Sequence, residues 1–218
     1  MDPCRLYLIS PPEINDVKKF AVTVDEAFSA GDVACFQLRL KDRQGNSAPD
    51  DAIVDCARVL LPIAQAYEVA FLINDRPDLA KRVGADGVHL GQSDGSVQMA
   101  RDVLGADASI GVTCHNSKAL GFEAGERGAD YAAFGAFFPT TTKETKYTAT
   151  PALLEAWSFS TTMPSVAIGG ITPENCGALI VAGADFLAVS SAVWEHPDGA
   201  GVAVKAFNQA IAEHGRAT

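Results

Sequence analysis

The segment Gly84-Ala-Asp-Gly-Val-His-Leu90 decides the fold class, because it joins the end of a predicted helix to the start of a predicted strand. Its first three residues recur as Gly-Ala-Asp at Gly105, Gly128 and Gly183, each time after a helical stretch and before a strand. Glycine readily adopts the left-handed conformation that ends a helix. Although Gly-Ala-Asp is also a common helix stop, four copies predict one helix–turn–strand unit that is reused around a closed sheet.

Short apolar runs alternate with longer helical stretches from end to end. The predicted strands are Leu6–Ile9, Ala34–Leu38, Ala70–Ile73, Gly87–Leu90, Ser109–Val112, Tyr131–Phe134, Ser165–Ile168 and Phe186–Val189. They are mostly continuous rather than alternating, which is typical of strands buried on both faces. Helix starts are predicted at Pro49, Pro77 and Thr172.

This alternation predicts a single-domain TIM (β/α)₈ barrel over residues 1–218. An open doubly wound sheet is the alternative. No G-x-G-x-x-G segment follows the first strand, which disfavours a dinucleotide-binding fold.

Composition limits the partners and the compartment. The formal net charge of −10 argues against nucleic acid as the main partner, since phosphate backbones need clustered Lys and Arg. No apolar run approaches the length of a membrane span, and the N-terminus has no signal-peptide pattern. Five cysteines without a C-x-x-C pair indicate free thiols in a reducing cytoplasm. A homo-oligomer is compatible with the sequence.

Polar residues follow the predicted strands where a barrel of this kind carries its active site. Gln37, Arg39 and Lys41 alternate after strand 2, so they point the same way and suit an anion. The competing interpretation is a solvated edge with ordinary surface charge. Gln37 lies inside the apolar run, which favours a functional role.

Two carboxylates, Asp75 and Asp94, follow strands 3 and 4 and are expected to converge at the barrel mouth. Mg²⁺ prefers such hard oxygen ligands, with substrate phosphates completing its shell. As structural alternatives, Asp75 caps the helix at Pro77 and Asp94 is a turn residue. His89 is expected to be a packed, hydrogen-bonded residue.

The later strand ends carry groups that suit phosphate. Thr113 can hydrogen-bond a phosphate oxygen, and His115 can do the same or cap the next helix. The loop Gly135-Ala-Phe-Phe-Pro-Thr-Thr-Thr-Lys143 predicts a polar clamp that closes over an anion, with a solvated loop as the alternative. Gly169-Gly170 and Ser190-Ser191 follow strands 7 and 8, the usual phosphate site of TIM barrels.

Together these segments resemble the thiamine-phosphate synthase family, also called thiamine-phosphate pyrophosphorylase, over about Leu6 to Ile211. The family joins 4-amino-5-hydroxymethyl-2-methylpyrimidine diphosphate to a hydroxyethylthiazole phosphate, and the products are thiamine phosphate and pyrophosphate. The resemblance therefore implies a transferase that acts on two small molecules with Mg²⁺.

The resemblance also implies a role for each candidate residue. Asp75 and Asp94 would bind Mg²⁺, and Arg39, Lys41 and Lys143 would be catalytic. The residues implied to contact the pyrimidine diphosphate are Gln37, Leu38, Arg39, Leu40, Lys41, Asn74, Thr113 and Lys143. Those implied to hold the thiazole phosphate are Thr140, Thr141, Thr142, Gly170, Ser190 and Ser191.

Three other functions stay open on the sequence. A thiazole tautomerase would share the fold and the phosphate site but would not need Asp75 and Asp94. An inactive phosphate-binding relative is disfavoured by Lys143 and the intact aspartates. A sugar-phosphate epimerase should show metal-binding histidines at strand ends, where only His89 and His115 are available.

Overall fold

The computed structural model describes residues 3–42, 44–140 and 147–215, and its strands close into a parallel barrel. Each strand pairs with its neighbours in sequence, and the last pairs with the first. The strands are β1 (Arg5–Ile9), β2 (Val33–Leu38), β3 (Ala70–Asn74), β4 (Gly87–Leu90), β5 (Ser109–His115), β6 (Tyr131–Gly135), β7 (Ser165–Ile168) and β8 (Phe186–Val189). The helices are α1 (Val17–Ala30), α2 (Asp50–Ala66), α3 (Pro77–Val83), α4 (Val97–Leu104), α5 (Lys118–Glu126), α6 (Pro151–Ser160), α7 (Gly177–Val181), α8 (Ser191–Trp194) and α9 (Ala200–His214).

The closed barrel confirms the predicted fold class and excludes the open sheet. All eight predicted strands are present, and β3 and β5 run further than expected, to Asn74 and His115. The helix predicted at Thr172 was placed wrongly, since α7 begins at Gly177. The backbone N–H of Thr172 donates to Oδ1 of Asn175 at 2.9 Å, so this segment forms a turn first.

The Gly-Ala-Asp repeats end helices and also brace the lower rim of the barrel. Their glycines have positive φ angles of 73°, 93°, 87° and 99° at Gly84, Gly105, Gly128 and Gly183, a region that glycine adopts readily, and Gly84 has the left-handed conformation that ends a helix. In three of the repeats the aspartate accepts a hydrogen bond from a backbone N–H at the start of the preceding strand. These pairs are Asp86 with Phe71 at 2.7 Å, Asp130 with Ile110 at 2.6 Å and Asp185 with Ser165 at 2.7 Å.

Two hydrophobic layers surround the strands, which explains their continuous apolar sequences. The larger layer lies between the barrel and the helices, and the smaller layer fills the barrel interior. The interior layer consists of Tyr7, Ile9, Cys35, Leu72, Tyr131, Ala133, Val166 and Ala188. Because this layer fills the lower part of the barrel, the polar residues of the strands are left at the upper, C-terminal end.

All five cysteines are free and buried, which confirms the prediction of free thiols. Within the described ranges, the structure contains no helix with the length and apolar character needed to cross a membrane.

Candidate active site

The C-terminal ends of the strands surround a pocket of about 480 Å³, a size that suits small-molecule substrates. Most of the predicted site residues line it. They are Gln37, Arg39, Lys41, Asn74, Asp75, Asp94, Thr113, Thr140, Gly170, Ser190 and Ser191. Thr141, Thr142 and Lys143 lie outside the described residues.

Leu38 and Leu40 do not line the pocket. Their side chains are 1% and 7% exposed and pack in the layer between the barrel and the helices. The alternation that turns Gln37, Arg39 and Lys41 into the pocket turns these leucines away from it. Any substrate contact at Leu38 or Leu40 is therefore restricted to the main chain.

Two cations stand on the wall formed by β2 and the residues after it. Lys41 forms an ion pair with Asp75, and its Nζ lies 3.8 Å from a carboxylate oxygen of Asp94. Burial lowers the pKa of Arg39 from its ordinary value, and the nearby charges of Asp75 and Asp94 oppose that shift. In the part of the chain that the structure describes, Arg39 forms no ion pair within 4.0 Å. A desolvated guanidinium in this position is a strong site for an anion.

Hydrogen bonds from Ser10, the residue after β1, fix the position of the loop after β2. The hydroxyl of Ser10 accepts a hydrogen bond from the backbone N–H of Arg39 at 2.9 Å, and its own proton is shared between two carbonyls. The carbonyl of Ser10 also accepts a hydrogen bond, at 3.2 Å, from Oγ of Ser190, which follows β8. These bonds tie the cationic wall to the segment that carries Ser190.

The two carboxylates converge above Gly91. A side chain at this glycine would collide with the Asp94 carboxylate and reach within 3.9 Å of the Asp75 carboxylate. Asp75 has a positive φ of 62°, and its backbone N–H donates to the carbonyl of His89 at 2.8 Å. The alternative role of Asp75 as a helix cap is excluded, since Arg76 occupies the N-cap position of α3. Two hard carboxylates over a site without a side chain fit a hydrated Mg²⁺.

A row of polar side chains forms the floor of the pocket. Nε2 of Gln37 donates to Oδ1 of Asn74 at 2.5 Å, and Nδ2 of Asn74 donates to Asp75 at 2.6 Å. Below them the hydroxyl of Tyr7 donates to Oε1 of Gln37 at 2.9 Å and lies 3.0 Å from that of Tyr131. Burial raises the pKa of Tyr7 and of Tyr131 well above the ordinary value, so both phenols are neutral at physiological pH.

His89 and Thr113 complete this row from β4 and β5. The two ring nitrogens of His89 lie 2.9 Å from the Tyr131 hydroxyl and 2.9 Å from the Thr113 hydroxyl. The prediction that His89 is a packed, hydrogen-bonded residue is confirmed. His115 does not cap the following helix, because Ser117 does so through its side chain.

The loops after β6, β7 and β8 form the other side of the pocket. Gly170 has a positive φ of 63°, and any side chain there would collide with the main chain at Pro139 and with Phe138. The carbonyl of Gly170 accepts a hydrogen bond from Asn175 at 2.9 Å. The β7 loop is therefore packed directly against the loop that carries Thr140.

Sequence reasoning missed two aromatic residues that line the pocket, Tyr7 and Tyr147, and also Tyr131, which contacts Tyr7 in the barrel interior. Tyr147 stacks on His115 with ring centroids 4.5 Å apart. Tyr7 and Tyr131 lie within apolar strands. The sequence could have indicated that their side chains point into the barrel. Tyr7 is two residues before Ile9 and Tyr131 is two residues before Ala133, and residues two apart in a strand point the same way. Nothing in the pattern marked Tyr147.

The sequence comparisons with known proteins agree with one another. A sequence model described as thiamine monophosphate synthase matches residues 6–193. Thiamine-phosphate synthase of Rhodospirillum centenum is 56% identical, over 97% of this chain and 99% of the relative. The enzyme of that name from Hyphomonas neptunium is 53% identical over 94% and 92% of the two chains.

Among solved structures, thiamine phosphate pyrophosphorylase from Pyrococcus furiosus superposes with a TM-score of 0.83 and 29% identity. The match covers 96% of each chain. The predicted resemblance is thus confirmed by sequence and by fold, and the chain belongs to the thiamine-phosphate synthase family of transferases.

Proposed function

We propose that this pocket joins 4-amino-5-hydroxymethyl-2-methylpyrimidine diphosphate to hydroxyethylthiazole phosphate, releasing pyrophosphate and forming thiamine phosphate. The observation that carries the proposal is that the residues proposed to bind the two anions line one pocket. Arg39, Lys41 and the carboxylate pair stand beside β2 to β4, and Gly170 lies after β7. Because β7 is four strands from β3 around a closed barrel, the two sites face each other.

The pyrimidine diphosphate binds along β2, β3 and β5 in this proposal. Gln37, Asn74 and Thr113 hold the ring, and Arg39 and Lys41 hold the diphosphate. The main chain at Leu38 and Leu40 contributes the remaining contacts on this wall. Lys143 also contacts the diphosphate; the described residues on either side of its loop, Thr140 and Tyr147, both line the pocket, which supports this role.

The thiazole phosphate binds on the opposite side. Gly170, Ser190 and Ser191 hold the phosphate together with Thr140, Thr141 and Thr142. In support, Ser190 and Ser191 begin the short helix α8 beside the pocket, and TIM barrels commonly bind phosphate at such a helix after β8.

Asp75 and Asp94 hold Mg²⁺ in this proposal. Their hard oxygen atoms suit the ion, and Gly91 leaves room between them because glycine has no side chain. When bound, the ion neutralises negative charge on the diphosphate.

The reaction needs charge stabilisation and alignment more than a protein nucleophile. The bond between the pyrimidine methylene carbon and the diphosphate oxygen breaks, and its electron pair leaves with the diphosphate. The electron-rich aminopyrimidine stabilises the cation left behind, and the thiazole nitrogen supplies the electron pair of the new C–N bond. Arg39, Lys41 and Lys143 stabilise the charge that grows on the leaving group, while the pocket holds the two rings in line.

The barrel that runs from β1 to α9 supports one domain over residues 1–218. We place the enzyme in the cytoplasm, where its buried free thiols stay reduced. Assembly of a homo-oligomer is a further proposal, to be tested by light scattering.

The decisive experiment mixes purified protein, both substrates and Mg²⁺ and measures thiamine phosphate and pyrophosphate. Equimolar formation of the two products is expected. Isomerisation of the thiazole phosphate without pyrophosphate release would identify a tautomerase instead. Binding of both substrates without either reaction would identify an inactive relative.

A further inference from the structure

Tyr147 is an aromatic residue at the mouth of the pocket that has no part in the roles proposed above. It lines the pocket and is 47% exposed. Its ring stacks on that of His115, with the centroids 4.5 Å apart and the ring planes inclined by 32°. His115 therefore supports the ring, while much of the tyrosine's surface stays open to a ligand.

Hydrogen bonds on both sides hold the main chain of the segment that carries this ring. The N–H of Ala136 donates to the carbonyl of Tyr147 at 3.2 Å, and the N–H of Ala149 donates to the carbonyl of Ala136 at 2.8 Å. From the β5 side, Nδ2 of Asn116 donates to the carbonyl of Thr148 at 3.1 Å. A ring whose main chain is already fixed loses less conformational freedom when it contacts a ligand than one on a free chain.

The same contacts place Tyr147 beside the part of the pocket proposed to hold the thiazole phosphate. Ala136, its main-chain partner, packs so closely on Gly169 that a side chain at that glycine would collide with it. The N–H of Phe138 donates to the carbonyl of Gly169 at 3.0 Å, and Gly170 is the next residue. The tyrosine and the proposed phosphate-binding glycine therefore belong to one packed group of loops.

The charge of the thiazole ring changes in the proposed reaction. Its nitrogen supplies the electron pair of the new C–N bond, so a neutral thiazole becomes a cationic thiazolium. Among the described residues that line the pocket from β6 to α8, none is an aspartate or glutamate, and Tyr147 is the one aromatic residue. The face of an aromatic ring is electron-rich and attracts a cation within about 6 Å of its centre.

We propose that Tyr147 is a substrate-contacting residue that lies with its ring against the thiazole and favours the cationic thiazolium over the neutral ring. The inference rests on the proposed function, which supplies the thiazole phosphate and its change of charge. The phenol hydroxyl has no part in this role, because the attraction comes from the face of the ring.

The test compares two probes that share the phosphate and differ in ring charge: hydroxyethylthiazole phosphate, and the same compound methylated at the ring nitrogen. Isothermal titration calorimetry of each probe alone gives its dissociation constant without turnover. Tyr147→Leu keeps an apolar side chain and removes the ring, so it should weaken binding of the cationic probe on the order of tenfold and that of the neutral probe much less. Tyr147→Phe keeps the ring and should retain the wild-type ratio of the two constants.

Phe122→Leu is the matched control, because Phe122 is 41% exposed and its ring also packs on an aromatic partner, Trp157, but it does not line the pocket. It should change neither constant, and circular dichroism verifies the folding of each variant. An equal loss for both probes in Tyr147→Leu, no loss for the cationic probe, or a changed ratio in Tyr147→Phe overturns the proposal.

Formation of thiamine phosphate by the wild-type protein is measured separately. Any of those three results in a protein that forms this product would overturn the role of Tyr147 and leave the proposed function standing. Failure to form the product would count against the function itself.

Discussion

Lys41 forms an ion pair with Asp75, and this contact joins the cationic wall of the pocket to its carboxylates. The two side chains are 17% and 9% exposed. Asp75 also accepts from Nδ2 of Asn74 at 2.6 Å and lies 3.4 Å from the backbone N–H of Gly91. Asp94 is more open, at 26% exposed, and its oxygen lies 3.8 Å from Nζ of Lys41. The two carboxylates therefore differ in exposure within the same site.

Asp75→Asn and Asp94→Asn should each lower Mg²⁺-dependent turnover by about a hundredfold, since a neutral amide does not replace a carboxylate as a ligand. Asparagine tolerates the positive φ of residue 75, so the first substitution adds little backbone strain. Turnover measured against Mg²⁺ concentration, with circular dichroism to verify folding, checks this.

Asp55→Asn is the control, because Asp55 is exposed and pairs only with Arg58 among the described residues. It should leave the Mg²⁺ dependence unchanged. Wild-type turnover of either site variant at limiting Mg²⁺ would remove Asp75 and Asp94 from the metal site.

Gly170→Ala should raise KM for the thiazole phosphate much more than KM for the pyrimidine diphosphate. The added carbon would press on the main chain at Pro139 and displace the loops proposed to hold the thiazole phosphate. Gly84→Ala is a matched control, since Gly84 has a similar φ of 73° but nothing within 4 Å of the added carbon.

Both alanine variants should lose about 1 kcal/mol of stability from backbone strain, and Gly170→Ala should lose more because of the collision. Steady-state kinetics and urea unfolding of both proteins separate the two effects. If Gly84→Ala changed KM as much as Gly170→Ala, the change would reflect strain and not the phosphate site.

The sequence predicted the parts of the molecule that depend on local rules. Helix stops such as Gly84 and apolar runs such as Gly87–Leu90 depend on short-range sterics and burial. Together they were enough to predict the barrel. The alternation from Gln37 to Lys41 also gave the direction of the side chains that line the pocket. The same alternation points Leu38 and Leu40 away from the pocket, so it excludes contacts between their side chains and a substrate. The contact residues implied by the family resemblance did not show this distinction.

Long-range contacts could not be predicted in the same way. Tyr7 and Tyr131 are 124 positions apart, and their hydroxyl contact exists only because the sheet closes. The placement of Tyr147 on His115 likewise depends on how a loop returns to the barrel mouth. Such pairs follow from tertiary structure, and no local pattern specifies them.

Stability should fall at alkaline pH. Burial raises the pKa of the Cys114 thiol from 9.0 to about 12 and that of Cys176 to about 11. The folded state keeps these protons above pH 9 while the unfolded state releases them, so stability is fully present below pH 9 and is lost as the pH rises towards those values. Each thiol contributes a loss of about 1.4 kcal/mol per pH unit in that range.

Urea unfolding at a series of pH values between about 8 and 11 measures this slope. Cys114→Ala removes one of the titrating groups, so its stability should decline less steeply with pH than that of the wild type, although its stability at neutral pH is lower because of the cavity. Parallel curves for the two proteins would mean that Cys114 does not contribute to the alkaline transition.

Arg39→Met should lower kcat about a hundredfold while the free energy of unfolding stays the same or rises. Methionine keeps much of the side-chain volume and removes the charge. Because Arg39 is partly buried, its charge costs solvation in the free enzyme, and a bound anion offsets that cost. Charge on the departing diphosphate grows in the transition state, so the lost contact should appear in kcat as well as in kcat/KM.

Arg58→Met is the matched control, at a side chain that is 65% exposed, and it should change neither kcat nor the free energy of unfolding. Saturating kinetics and urea unfolding of both variants give the two quantities. A stability loss in Arg39→Met with a normal kcat would show that the guanidinium is structural and would leave Lys41 as the main cation of this wall.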